Sequence, residues 1–350
     1  MSSVNTLEIC LPDDWHLHVR DGEFLPDLLR HTASQFGRAI IMPNLKPPVT
    51  NADMAIAYKT RILNALPPGS NFEPLMVLYL TDNTSADDVK RAKEVGVVGF
   101  KLYPAGATTN SDAGVTDIKK CADALDAMSD CGMPLLVHGE VTHSEIDVFD
   151  REAVFIDQVL EPLRERHPGL KVVFEHITTK QAAQYVESAD TTRFGAIAAT
   201  ITPQHMLYNR NAIFTGGIRP HYYCLPILKR EEHRQELVRV AISGNSRFFL
   251  GTDSAPHLKG TKENACGCAG CYTAWHAMPL YAEVFDAANA LSRLEGFASQ
   301  FGPDFYGLPR NTGKLTLRRE TQQIPNEFPM GNGTVVPLRA GETIAWSIVG

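Results

Sequence analysis

Trp15-His16-Leu17-His18 sets two imidazoles two residues apart after an apolar run, Leu7 to Pro12. On an extended strand, residues i and i+2 share a face, so the two rings project together. Imidazole is the commonest metal ligand and suits zinc-type ions. Taken alone, the pair reads more readily as two partly exposed surface histidines. The rest of the chain changes that weighting. Later strand-like segments also end in metal-capable residues: Lys101 in Gly99-Phe100-Lys101-Leu102-Tyr103, His138 in Leu136-Val137-His138-Gly139-Glu140, His176 in Phe174-Glu175-His176, and Asp253 in Gly251-Thr252-Asp253-Ser254. Such a set suits metal-assisted hydrolysis, in which a bound ion lowers the pKa of its water to about 7.

These residues must be brought together by the elements that carry them. Eight apolar strand-like runs recur: Leu7–His18, Arg38–Asn44, Phe72–Asp82, Val97–Pro104, Met133–Glu140, Lys171–Ile177, Phe194–Thr202 and Arg247–Asp253. Near-continuous apolar strands suit a parallel sheet covered on both faces. Helix candidates fall between them. One begins at Ser85, a capping residue followed by Asp87 and Asp88. Others span Asp117–Met128, Asp150–Arg166, Thr179–Val186 and Pro226–Ile242. Strands alternating with helices in this number predict an α/β fold, the (β/α)8 TIM barrel, with its active site at the C-terminal ends of the strands. An open doubly wound sheet would need a Gly-rich phosphate loop after its first strand, and the sequence has none there. After about Gly307 the pattern breaks into short pieces rich in Pro, Gly and Arg. The expectation is one domain over 1–350, a barrel core of about 7–306 with a C-terminal extension of about 307–350.

Composition narrows the partners. The 350 residues are 44% hydrophobic and 21% charged, which is globular. A net charge of -7 gives no reason to expect nucleic acid or a membrane surface. No apolar run approaches the roughly 18 residues of a membrane span. Met1 to Thr6 lack the basic start and long apolar stretch of a signal peptide, so a cytoplasmic protein is expected. Seven cysteines in a chain of this size argue against a disulfide framework.

The motifs resemble the amidohydrolase superfamily and, within it, the shorter single-domain bacterial dihydroorotases. The resemblance rests on Asp13-Asp14-Trp15-His16-Leu17-His18-Val19-Arg20-Asp21-Gly22, Met42-Pro43-Asn44, Gly99-Phe100-Lys101-Leu102-Tyr103-Pro104, Gly251-Thr252-Asp253-Ser254-Ala255-Pro256-His257 and Glu263-Asn264-Ala265-Cys266-Gly267-Cys268-Ala269-Gly270-Cys271. It runs from about residue 6 to past 310, without departure at the metal or substrate positions. It implies two zinc ions per subunit, with His16, His18 and Asp253 on one and His138 and His176 on the other. Lys101 would be shared between them as N6-carboxylysine. Burial can strip the proton from a lysine, and the neutral amine can then add CO2 to give a two-oxygen anion. A hydroxide between the ions would be the nucleophile, and Asp253 would be general base and then acid. The implied reaction is the reversible closure of N-carbamoyl-L-aspartate to L-dihydroorotate, the third step of pyrimidine synthesis, and the implied assembly is a homodimer.

The same resemblance assigns the substrate carboxylate to Arg20, Asn44 and His257. An Arg fork matches a carboxylate bidentately, and Arg20 shares the direction of His18 if the strand continues. Backbone groups near Leu225 and Ala269 would hold the ring. The small, polar loop Ala105–Gly114 has the composition of a lid, and Thr108 and Thr109 would touch substrate. By spacing, Cys266, Cys268 and Cys271, with Cys224 as a fourth, could be a structural zinc site or a redox cluster. The resemblance implies instead buried thiols in the active-site wall. Histidines 31, 143, 167, 205, 221, 233 and 276 receive no metal role. Two competing readings are a hydantoinase- or allantoinase-like hydrolase, and a non-catalytic barrel scaffold. Arg20, Asn44 and His257 favour an acidic substrate over the neutral rings, and the filled ligand positions oppose the scaffold.

Overall fold

Pro12, which has no backbone N–H, divides the first apolar run into two strands, β1 (Thr6–Cys10) and β2 (Asp13–Leu17). This corrects the reading of Leu7–His18 as one strand. β1 leaves the barrel and pairs antiparallel with Lys314–Arg318, which also pairs with Ser347–Val349. β2 begins the barrel. In the computed structural model, residues 5–265 and 267–349 are described; residues 1–4, Cys266 and Gly350 lie outside them. The reading of the N-terminus therefore falls largely on undescribed residues.

The barrel continues with β3 (Arg38–Ile41), β4 (Glu73–Met76), β5 (Leu78–Tyr79), β6 (Phe100–Leu102), β7 (Leu135–His138), β8 (Val172–Glu175), β9 (Ile197–Ile201) and β10 (Phe248–Leu250). Neighbours pair parallel, in the order β2-β3-β4 and β5 through β10. β4 and β5 are two halves of the run Phe72–Asp82, interrupted at Val77. The ring closes beyond β10 and β2, where Asp253 N donates to His16 O at 2.9 Å and His18 N to Ser254 O at 3.1 Å.

Two apolar layers hold this ring. Inside it, Trp15, Ile40, Leu75, Leu136, Val173 and Phe249 pack together. Phe301, Phe305 and Tyr306 plug its lower end, with Trp15 stacked on Tyr306 at 4.5 Å. Between strands and helices lies the larger layer, including Leu17, Ile41, Leu78, Leu102, Leu135 and Phe248. Each such side chain, fully buried, stabilises the fold by about 1.5–3 kcal/mol.

The helices follow local signals. Ser85 accepts from Asp88 N and closes a capping box that starts Ala86–Glu94. Thr179 caps Lys180–Ser188. The expected helix over Pro226–Ile242 begins only at Glu231. Pro226 removes a donor, and Leu225 just before it lines the active-site cavity. Helices at Leu25–Ala33, Ala52–Ala65 and Ala277–Ala287 were not among the expected ones. Beyond Gly307, Ile324, Leu338 and Ile344 cluster with Cys224 and Cys271, so this segment backs one wall of the site.

Candidate active site

The register of β2 against β3 shifts between Asp14 and Leu17. An extra residue in β2 there turns consecutive side chains the same way. Trp15 enters the lower interior, and His16 reaches the upper end of the barrel. His18 follows just past the strand. His16 Nε2 and His18 Nε2 lie 3.3 Å apart, and Asp253 Oδ1 is 3.3 Å from the first and 3.2 Å from the second. Zinc–nitrogen bonds of 2.0–2.1 Å imply tetrahedral donor–donor edges of about 3.3 Å. This triangle of donors fits one face of such a shell.

His176 and His138 line the same cavity, with ring centroids 4.8 Å apart, and His16 is 4.8 Å from His176. Neither ring nitrogen of His176 has a hydrogen-bonding partner among the described residues, and its Nδ1 is buried. His16, Glu175 and His176 form a second group with donors close enough to share an ion. Lys101, fully buried on β6, reaches Glu175 at the end of β8. Nitrogen and carboxylate donors crowded into a buried pocket, with His18 Nδ1 and His176 Nδ1 unpaired among the described residues, are the chemistry a divalent cation resolves.

Electrostatics follow the same geometry. Burial would push His16 down, but Glu175 and Asp253 outweigh it and raise its pKa to about 9. Burial lowers His18 to about 4. Burial also pulls Lys101 down toward its neutral amine, with Glu175 opposing. Asp253 is held well below the ordinary carboxylate range, because His16 and His18 overcome its burial.

Three side chains of the site stand on left-handed backbone: Arg20 at φ 57°, His176 at φ 42° and Asp253 at φ 45°. Such φ values are uncommon outside glycine and store strain of order 1–3 kcal/mol each. Strand β2 ends at Leu17, so Arg20 does not ride on a continued strand as expected; it points by this turn. Its Nε donates to Pro256 O at 2.8 Å, and Nη2 lies 3.1 Å from His257 Nε2. Among the described residues, no carboxylate contacts it directly. His257 Nε2 is also 2.9 Å from Ala269 O. One ring nitrogen cannot accept from Arg20 and donate to Ala269 in the same protonation state.

Arg20, Asn44, Thr108, Thr109, Leu225 and Ala269 all line the cavity above the histidines, whose volume is about 20 Å³. That is room for about one water. The loop Ala105–Gly114 covers it. Asn44 Nδ2 donates to Thr109 O and Asn110 Nδ2 to Asn44 O, both at 3.2 Å, and Ser111 Oγ bonds Thr108 O at 2.6 Å. His257 lies behind this cavity, in contact with Arg20.

Three residues of the site were not found in the sequence. Glu175 bridges Lys101 and His16, with Oε1 3.0 Å from His16 Nδ1. Glu140 Oε2 holds His138 Nε2 at 2.8 Å. Both glutamates adjoin a histidine ligand candidate in sequence, and that adjacency was the available signal. Lys262 is buried and donates to Tyr223 O, Cys268 O and Gly270 O at 3.1, 2.7 and 2.6 Å. It ties the Leu225 wall to the Ala269 wall, and no motif announced it. Cys224 and Cys271 are buried free thiols and Cys268 is half-buried; Cys266 lies outside the described residues. His205 is occupied by Thr202 Oγ1 at 2.7 Å and Pro226 O at 2.9 Å.

Known proteins share this sequence pattern and this fold. The sequence pattern of the Amidohydrolase family matches residues 13–320. A dihydroorotase of Cupriavidus pinatubonensis is 69% identical over 97% of this chain and 98% of its own. The crystal structure of a Campylobacter jejuni dihydroorotase superposes with a TM-score of 0.90 at 37% identity, over 100% of this chain and 99% of that one. A Saccharomyces cerevisiae dihydroorotase in complex with 5-fluoroorotic acid gives a TM-score of 0.88 at 33% identity, covering 99% of each chain.

Proposed function

The chain belongs to the amidohydrolase family, among its dihydroorotases, and from that premise we propose how its residues close N-carbamoyl-L-aspartate to L-dihydroorotate and reopen it. The observation that carries the reading is the convergence of His16 Nε2, His18 Nε2 and Asp253 Oδ1 within 3.3 Å, under a wall that holds the cation Arg20.

His16, His18 and Asp253 would hold one zinc ion and His138 and His176 a second, with Lys101 shared as its carbamate. Bound there, such ions supply an acidified water and a polarised amide carbonyl. The chain's own groups do the rest. Asp253 Oδ accepts the proton of the attacking water and returns it to the ring nitrogen as the amide bond breaks; closure reverses both transfers. Arg20 presents its fork to the carboxylate that does not react, with Asn44 and His257 beside it. When the carboxylate takes Arg20 Nη2, His257 Nε2–H is free to donate to Ala269 O. Backbone groups at Leu225 and Ala269 face the ring, on walls tied together by Lys262. Thr108 and Thr109 close over it and exclude bulk water.

The reading takes the protein as a single-domain, cytoplasmic homodimer; sedimentation of the purified chain tests the dimer. The activity test is direct. The zinc-loaded protein should consume L-dihydroorotate and show little rate on hydantoin or allantoin, and the reverse ranking overturns the assignment. Metal analysis should return near two divalent ions per chain, whereas none after gentle purification would favour a scaffold.

A further inference from the structure

Arg20, Asn44 and Thr109 line two cavities, the catalytic one and a larger one of about 520 Å³ on the far side of the same wall. The inner cavity is narrow, with room for about one water, and the shared wall separates it from the outer one.

Its charge runs against that of the chain. The protein carries a net charge of -7, yet the outer cavity is lined by Arg20, Lys46 and Arg61 against a single carboxylate, Asp21. Asp21 is already engaged: its two oxygens accept from Arg61 Nε and Nη2 at 2.8 and 2.7 Å. Two cations are left over. Arg20 belongs to the inner site. Lys46 is exposed at the outer one and has no ion-pair or hydrogen-bond partner among the described residues. The loop that presents it is fixed, since Leu45 N and Val49 N both donate to Pro43 O at 2.9 Å. Apolar side chains such as Phe24, Met54 and Leu258 form part of the walls, and low-dielectric walls focus the field of an unpaired charge.

We propose that the outer cavity is a staging site for dicarboxylates, in which Lys46 binds a dianion such as the acyclic substrate more strongly than a monoanion such as the cyclic one. The inference rests on the dihydroorotase reading. Ring closure joins the ureido nitrogen to the side-chain carboxyl, so N-carbamoyl-L-aspartate carries two negative charges and L-dihydroorotate one. A cation at the mouth acts on the first about twice as strongly as on the second. Lys46 also makes no contact with the reacting atoms, so its effect falls on capture and not on turnover.

The experiment compares the zinc-loaded wild type with Lys46→Gln, Lys46→Glu and, as a control for net charge, Lys93→Gln at the opposite end of the barrel. At low ionic strength Lys46→Gln should raise Ki for succinate, a dicarboxylate that does not react, on the order of threefold to tenfold. Ki for propionate, the matched monocarboxylate, should move about half as far on a logarithmic scale, and Lys46→Glu should exaggerate both shifts. The value of kcat/KM should change by one common factor in the two directions, because no variant can alter the equilibrium constant. At about 0.5 M salt, where screening extends over only a few ångströms, the difference between the two inhibitors should vanish. Equal shifts for both inhibitors, no shift, or the same shifts in Lys93→Gln would overturn the proposal. A wild type that turns over neither substrate would instead overturn the dihydroorotase reading.

Discussion

Glu140 Oε2 lies 2.8 Å from His138 Nε2, and both side chains are 1% exposed. A carboxylate there fixes the imidazole tautomer: Nε2 carries the proton, and Nδ1 keeps the lone pair that can face an ion. Glu140→Gln keeps the shape but removes the charge. It should weaken metal binding about 10- to 100-fold, read as the zinc affinity in competition with a chelator. Unchanged affinity would mean that the tautomer is set elsewhere.

Lys101 is fully buried against Glu175 and has no route to solvent for its charge. Lys101→Ala should lose metal and activity together, the rate falling by at least about 100-fold. Short carboxylic acids added to the variant should restore part of both, by standing in for the carbamate. If the variant keeps full metal content and rate, the shared-carbamate idea fails.

Arg20 uses Nε for Pro256 O and leaves its Nη2 at His257. Lysine cannot fill both directions. Arg20→Lys should lower kcat/KM for L-dihydroorotate about 10- to 100-fold, the worth of one hydrogen bond between charged groups. The metal content should not change. A loss below about twofold would remove Arg20 from carboxylate binding.

Asp82 anchors the far end of the covering loop. Its oxygens accept from Thr116 N at 2.8 Å, Thr116 Oγ1 at 2.6 Å and Lys120 Nζ at 2.8 Å. Slight burial pushes its pKa up, but Lys120 and Thr116 outweigh this and bring it from 3.8 to about 2. A carboxylate with a depressed folded pKa stabilises above its unfolded value and loses that contribution as pH falls through the folded one. Asp82→Asn should therefore cost about 0.5–1 kcal/mol at pH 7, allowing for solvent screening. The gap to wild type should close between about pH 4 and pH 2, measured by urea unfolding. A gap independent of pH would show that only shape matters there.

The sequence by itself determined the barrel and the identity of its ligand candidates. Apolar runs with helices between them leave few parallel folds, and a residue at the end of a barrel strand can face only the shared mouth. His16, His18, Lys101, His138, His176 and Asp253 were all legible on that ground. What the tertiary structure decided is direction. A strand sends successive side chains to opposite faces, so a regular strand could not aim both Glu175 and His176 inward. The left-handed turn at His176 does, as does the bulge that turns Trp15 and His16 the same way. Neither φ nor a register shift has a residue signature here. Glu140, Glu175 and Lys262 stayed hidden for a related reason. Their partners are fixed by where other strands and loops pass, and only closure of the chain on itself brings those partners near.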